Sequence, residues 1–271
     1  MRVLRANRVR LREWVRFHTG RRRYPFLSED ELEASRTSDT LFVFGSGWSL
    51  NELRPEEWAH FEEHQTLGFN WFVRQDFVRA DYHLVRGIGA DDLRPESWRP
   101  AVEEYFRRAR ESARFRSTIF VVHTGFNAIN GNRAIGLGLL PHDRPVFLYR
   151  SKLGQPDFSW SFRDGLAHPN STLEDAVNFA VLAGWTRIVL VGVDLYDRRY
   201  FWLGHDETRP EDELRGARHA EAHSRAGTGM ITTFGAWRGM LEPRGIQLFV
   251  YNPRSLLADV LPLYAPPGVG L

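Results

Sequence analysis

The hexapeptide Gly45-Ser46-Gly47-Trp48-Ser49-Leu50 follows the apolar run Leu41-Phe-Val-Phe44 and leads into a helix-like segment. A buried strand, a tight glycine turn and a helix N-terminus let backbone approach an anion and aim amides at it. The spacing is Gly-x-Gly-x-Ser-Leu, not Gly-x-Gly-x-x-Gly, and no phosphate-loop lysine follows. It points to a nucleotide or nucleotide-sugar site while disfavouring the two commonest nucleotide-binding folds. Alone, the turn has a plainer reading, glycine kept for geometry. Further polar groups stand where other apolar runs stop: Asn70, Arg86-Gly87, His123-Thr124-Gly125, Asp194-Leu-Tyr196 after Gly192, and Asn252-Pro-Arg-Ser255. In an open α/β sheet such strand ends converge on one cleft. Tyr196 and Tyr200 can donate phenol hydrogens to phosphate oxygens, although two tyrosines after a strand also serve for packing.

Other chemistries are narrowed by what the chain lacks. Without cysteine there are no disulfides, thiolate metal sites or cysteine nucleophiles, which fits a reducing cytoplasm. Lys152 is the single lysine, so a Schiff base or a phosphate-clamping lysine would have to be this residue in a polar stretch. There is no His-Glu-x-x-His and no Asp-x-Asp, so no metal site is expected. His205 and His223 lie in an irregular segment, whereas His64, His83 and His168 read as helix-end, strand or loop residues.

The elements that must position these groups alternate. Strands are expected at 41–45, 65–70, 81–86, 117–123, 145–150, 187–193 and 246–251, and helices at 55–64, 95–113, 171–184 and 232–241. The 171–184 segment is the clearest helix, since Ser171-Thr-Leu-Glu174 forms a capping box and Gly184 a stop. Its capped N-terminus, with Ser171 and Thr172, supplies more donors for phosphate. The run 187–193 is wholly apolar, as befits the middle of a parallel sheet. The expected fold class is therefore α/β, a single doubly wound, mostly parallel Rossmann-like sheet. Residues 194–230, rich in charge, His and Gly, read as a lid insertion.

Residues 1–24 carry nine arginines against Glu13, so the remaining 247 residues hold the compensating negative charge. This reads as residues 1–40 forming a basic arm and linker, or short helix, ahead of a catalytic domain at 41–271. The arm suits a solvated helix or an anionic membrane surface, where each arginine contributes about 1 kcal/mol. RNA ranks lower, because no nucleic-acid motif follows. No stretch is long and apolar enough for a membrane span, and no apolar stretch follows the first arginines as in a signal peptide. The expected localisation is cytoplasmic, with peripheral attachment to the inner membrane through the arm.

Three blocks together resemble the bacterial sialyltransferases that decorate lipo-oligosaccharide. Val-Phe-Gly45-Ser-Gly47-Trp-Ser49-Leu with Gly68-Phe-Asn70 is similar to that family's first strand, glycine turn and second-strand Asn. Asn170-Ser-Thr172 through Trp185, then Ile-Val-Leu-Val-Gly192-Val-Asp194-Leu-Tyr196, resembles its helix and following strand. Tyr251-Asn-Pro253-Arg-Ser255-Leu-Leu-Ala resembles its C-terminal block. The resemblance implies a GT-A-like variant of the fold, a metal-independent transferase with no cofactor, a CMP-sugar donor and a glycan or glycolipid acceptor. Together with the strand-end reading, it makes Gly45, Ser46, Gly47, Ser49, Asn70, Arg86, Ser171, Thr172, Gly192, Asp194 and Ser255 the expected substrate-binding residues. Tyr196 and Tyr200 would stabilise the departing CMP phosphate, and His223 would be the general base, an imidazole being suited to proton transfer near neutrality. A homo-oligomer is also expected. Ser46, Trp48, Arg86 and Pro169 depart from the family pattern at positions of donor and acceptor recognition. A related group of pterin pyrophosphokinase-like proteins shares the Gly-x-Gly-x-Ser-Leu turn; that reading needs ATP and Mg²⁺, with Asp91-Asp92 or Asp194 binding the metal. A non-catalytic nucleotide-binding partner in glycan assembly is the third reading.

Overall fold

A computed structural model describes residues 2–86, 95–196, 199–204 and 225–265. Its strands are β1 (Thr40–Phe44), β2 (Gln65–Phe69), β3 (Tyr82–Val85), β4 (Ile119–His123), β5 (Val146–Tyr149), β6 (Ser151–Leu153), β7 (Leu166–His168), β8 (Arg187–Val191) and β9 (Gln247–Val250). The helices are α1 (Arg2–Gly20), α2 (Glu29–Ala34), α3 (Pro55–Glu62), α4 (Pro95–Glu111), α5 (Ile129–Gly136), α6 (Thr172–Leu182) and α7 (Arg225–Leu241). Seven strands form one parallel sheet in the order β5-β4-β3-β2-β1-β8-β9, and β6 pairs with β7 separately. From β1 the chain winds outward to β5, then returns to lay β8 on the other side of β1. The winding reverses between β1 and β8, and the crevice beyond their carboxyl ends is where such sheets hold ligands.

Both sheet faces are covered, which is why β1 and β8 are apolar almost throughout. Leu41, Val43, Ile188, Leu190 and Leu248 pack with Phe179 of α6 and Phe234 and Trp237 of α7. On the opposite face Phe42, Phe44, Val189 and Val191 meet Phe61 and Phe72. Farther along that face Phe120 and Val122 meet Tyr105, Phe106 and Ile135. The expected strands and helices therefore form, with ends shifted by a few residues. The largest shift is at α7, which begins at Arg225 rather than Thr232 because Gly227 and Gly229, poor helix formers, are nonetheless helical.

The basic segment departs from the picture of an arm. Residues 2–20 form α1, which lies on α5, with Glu13 and Phe17 buried. Residues 29–34 form α2, N-capped by Ser28 and closed by Glu31, whose carboxylate accepts from the Ser28 amide at 2.7 Å. The side chains of Glu13 and Arg133 are 0% and 1% exposed and lie 3.5 Å apart between α1 and α5. Glu13 also pairs with Arg12 and Arg16, at 2.9 and 3.3 Å. Arginine spacing alone hid this seat, because a run of cations signals charge and not the single acid that docks it. The outer side of α1 keeps Arg8, Arg12, Leu11 and Val15 exposed or nearly so. No helix among the described residues is long and apolar enough to cross a membrane.

Removing one partner of a buried ion pair leaves the other charge unpaired and costs about 3–5 kcal/mol, whereas replacing both with apolar residues is near neutral. Glu13→Ala is expected to lower stability in urea denaturation by that amount, and Glu13→Leu with Arg133→Met to restore it within about 1 kcal/mol. A single-variant loss below about 1 kcal/mol would show that this pair does not seat α1.

Candidate functional site

The turn after β1 is laid against the end of β8. Gly45 donates its amide to the Val191 carbonyl at 2.7 Å, and Gly47 donates to the Gly192 carbonyl at 2.8 Å. The β1–β8 pairing thus continues beyond both strands. Asp194, almost fully buried, then closes the turn. Its carboxylate accepts from the Ser49 amide at 2.9 Å, from the Ser49 hydroxyl, and from the Asn252 side-chain amide at 3.1 Å. A Cβ on Gly47 would collide with that carboxylate and lie 2.7 Å from the Gly192 carbonyl oxygen. Gly-x-Gly-x-Ser is thus one structural unit with Asp194, in which glycine leaves room for the acid that Ser49 binds.

Beside the turn stands the N-terminus of α6. The Ser171 hydroxyl accepts from the Leu173 amide at 3.3 Å, and Glu174 accepts from the Ser171 amide at 2.5 Å, which realises the expected capping box. Burial pushes the Glu174 carboxyl up from its ordinary range. Asn70 has left-handed backbone (φ 48°) and donates its side-chain amide to the Thr172 hydroxyl at 3.1 Å, tying the end of β2 to α6. Arg86 at the end of β3 donates to Asp175 at 2.9 Å and to the Ser151 hydroxyl. Ser151 donates to the same Asp175 oxygen at 2.7 Å, and His168 hydrogen-bonds the other.

These groups surround a cavity of about 350 Å³ at the β1/β8 switch point. Aromatic rings form one wall: Phe69, Trp71, Tyr200 and Trp202. Tyr200 stacks on Trp202 with centroids 4.3 Å apart, and the Arg74 guanidinium lies 4.7 Å from Trp71 and 5.1 Å from Trp202. The 199–204 stretch of the expected lid crosses the glycine turn: Tyr200 bridges Gly47, the Phe201 amide donates to the Ser46 carbonyl at 3.2 Å, and Asn51 donates to the Phe201 carbonyl at 2.8 Å.

Of the residues singled out in the sequence, Gly45, Ser46, Gly47, Asn70, Arg86, Ser171, Thr172, Gly192, Asp194 and Tyr200 line this cavity. Ser49 and Ser255 stand behind it, Ser49 on Asp194 and Ser255 donating to the Val193 carbonyl at 2.5 Å. Tyr196 does not line it either. Leu195 takes left-handed backbone (φ 61°) and turns into the wall, while the Tyr196 hydroxyl accepts from Asn252 at 3.2 Å. Burial raises the Tyr196 phenol above its ordinary value. A strict strand-end reading could not foresee this reversal. His223 and most of the lid lie outside the described residues, as do Asp91 and Asp92. His168 and Asp175 were missed as site residues; β7 is three residues long and carries no periodic signal, although His168 stands just before the capping box.

The carboxylates nearest the cavity are committed: Asp194 to Ser49 and Asn252, Asp175 to Arg86, Ser151 and His168. Among the described residues, a donor set so engaged leaves few free lone pairs for a cation bridging a diphosphate. One group of metal-ligand type occurs among the described residues, His60, Glu63 and His64 within 4.8 Å of one another. It stands beside the start of β2, at the amino ends of the strands and so opposite the cavity.

No protein-family model and no curated protein matches the chain. Among solved structures, a variant of the sialyltransferase CST-II in complex with CMP aligns with 86% of this chain and 89% of its own, at TM-score 0.51 and 14% identity. A second CST-II variant in complex with CMP covers 86% and 88%, at TM-score 0.49 and 13% identity. CstII from Campylobacter jejuni in complex with a substrate analogue covers 83% and 86%, at TM-score 0.48 and 13% identity. The likeness is one of architecture: this chain has a sialyltransferase-like α/β fold.

Two measurements check the site's construction. Asp194→Ala would strand the Ser49 amide and hydroxyl and the Asn252 amide in a buried place, at a cost of about 3 kcal/mol. Asp194→Asn, which restores one acceptor, is expected to recover about half of it in urea denaturation; equal losses would contradict the tether. The second concerns acid. Burial pushes His83 in β3 down to about 3, and burial reinforced by the neighbouring Arg86 guanidinium pushes His123 down to about 3. Both protonate near pH 6.5 when unfolded, so the unfolded state binds more protons below that pH. Stability is expected to fall as pH drops from about 6.5 toward 3, approaching about 2.7 kcal/mol per pH unit from the two together. His83→Phe should reduce that slope by about half; an unchanged slope would refute the assignment.

Proposed function

We propose that this protein is a metal-independent glycosyltransferase, sialyltransferase-like, that takes an acidic sugar from a CMP-sugar donor to a glycan acceptor. The observation that carries the reading is the junction at the β1/β8 switch point. There a glycine turn, the α6 N-terminus and Asn70 converge on a cavity, in a fold shared with a sialyltransferase in complex with CMP. Transfer would be an in-line displacement inverting the anomeric centre, with the bond to the CMP phosphate breaking as the acceptor oxygen bonds. Charge developing on the phosphate would be met by the α6 N-terminal dipole and the Tyr200 hydroxyl. The commitment of Asp194 and Asp175 to hydrogen bonds favours this reading over one that needs Mg²⁺ held between acids.

The test is a thermal-shift panel of CMP, CDP, UDP, GDP and ATP, each with Mg²⁺ and with EDTA. A ligand at about one hundred times its Kd adds about 2.7 kcal/mol, which for a chain of this size raises Tm by roughly 5 °C or more. CMP is expected to produce that shift equally with and without EDTA. Stabilisation by ATP with Mg²⁺ alone would replace this reading with the pyrophosphokinase-like one.

A further inference from the structure

The nucleotide reading leaves one cavity group without a task. His168 ends β7, three residues before the α6 cap, and its side chain is 15% exposed where it lines the cavity. Its Nδ1 meets Asp175 Oδ2. An ionised carboxylate only accepts, so the shared proton belongs to Nδ1 and the lone pair of the neutral ring to Nε2. Nε2 makes no hydrogen bond among the described residues and keeps solvent access. The fully buried Asp175 cannot turn away, because its Oδ1 takes Arg86 from the end of β3 and Ser151 from β6. Two elements thus fix one carboxylate, and that carboxylate fixes the tautomer and orientation of one imidazole. This is the arrangement of a base held by a third group.

We propose that His168, oriented by Asp175, is the general base of this cavity, an inference that rests on the CMP-sugar reading. The acceptor hydroxyl gives its proton to Nε2 as its oxygen bonds the anomeric carbon. The carbon–oxygen bond to phosphate breaks, and its electron pair leaves with CMP. The imidazolium so formed is stabilised by Asp175 and later returns its proton to solvent. The other charged or titratable groups facing His168 are Glu174 on α6, Arg86, and His123 at the end of β4. His123 stays neutral across the working range, since its value is pushed down to about 3. Arg86 is committed to Asp175, and Glu174 to Asn170 and Ser171.

The experiment measures CMP release from CMP-N-acetylneuraminate, water serving as acceptor, between about pH 5 and pH 9, with CMP affinity by calorimetry. His168→Asn keeps an amide for Asp175 and removes Nε2. It is expected to lower kcat about 10²–10⁴-fold, to leave the CMP Kd within about threefold, and to abolish the acid-side limb of the pH–rate profile. Asp175→Asn, a positioning change, should move that limb to lower pH, because the imidazolium loses its carboxylate. Retention of the limb in His168→Asn, or its loss in His223→Ala instead, overturns the assignment. A wild-type chain that binds CMP but releases none from the donor overturns the base alone. One that neither binds nor releases CMP overturns the CMP-sugar reading with it.

Discussion

The cavity depends on how two parallel strands end together. Beyond Phe44 and Val191 the sheet has no further ladder, yet Gly45 and Gly47 keep donating to the β8 side. That continuation brings two backbones close enough to exclude any side chain at residue 47, and the Asp194 carboxylate fills the space. Buried carboxylates are tolerated only when hydrogen-bonded, and this one takes Ser49 and Asn252. One acid thereby sets the turn after β1, the exit from β8 and the segment after β9. The floor of the cavity is a by-product of that closure, and its glycines are required by packing whether or not a ligand is present.

The sheet was legible because its strands are buried on both faces and so read as unbroken apolar runs. The α6 cap was legible because Ser171 and Glu174 stand at the spacing a capping box needs. Convergence of Gly45, Asn70, Arg86 and Asp194 followed from their places at the carboxyl ends of the strands. What escaped has physical reasons. Helix α5 contains two glycines and two asparagines and owes its form to burial against β4 and α1. Strands β6 and β7 are too short for any period to show. Tyr196 was misplaced because a left-handed Leu195 breaks the alternation that strand logic assumes. The pairing of His168 with Asp175 joins β7 to α6 over seven residues, a distance at which spacing carries no chemical signal.

The basic N-terminal segment shows how composition can mislead about architecture while remaining true about charge. Nine arginines suggested a segment apart from the globule. A single acid among them, buried against Arg133, makes α1 part of the fold instead. The helix still presents Arg8 and Arg12 beside Leu11 and Val15 on its outer side, so docking and a cationic surface coexist on opposite sides of one helix.

Charge within the cavity follows the same economy. Among the described residues, the arginine that lines it, Arg86, is already paired with Asp175. Among these residues that pairing offsets the Arg86 charge, and the glycine-turn backbone and the α6 N-terminus add neutral dipoles to the wall. Dipoles of that kind act at short range and favour charge placed at one point. A site relying on them discriminates by geometry more than by net charge. The same pairing also frees Asp175 to orient His168 without leaving an uncompensated acid in the wall, since Arg86 balances its charge.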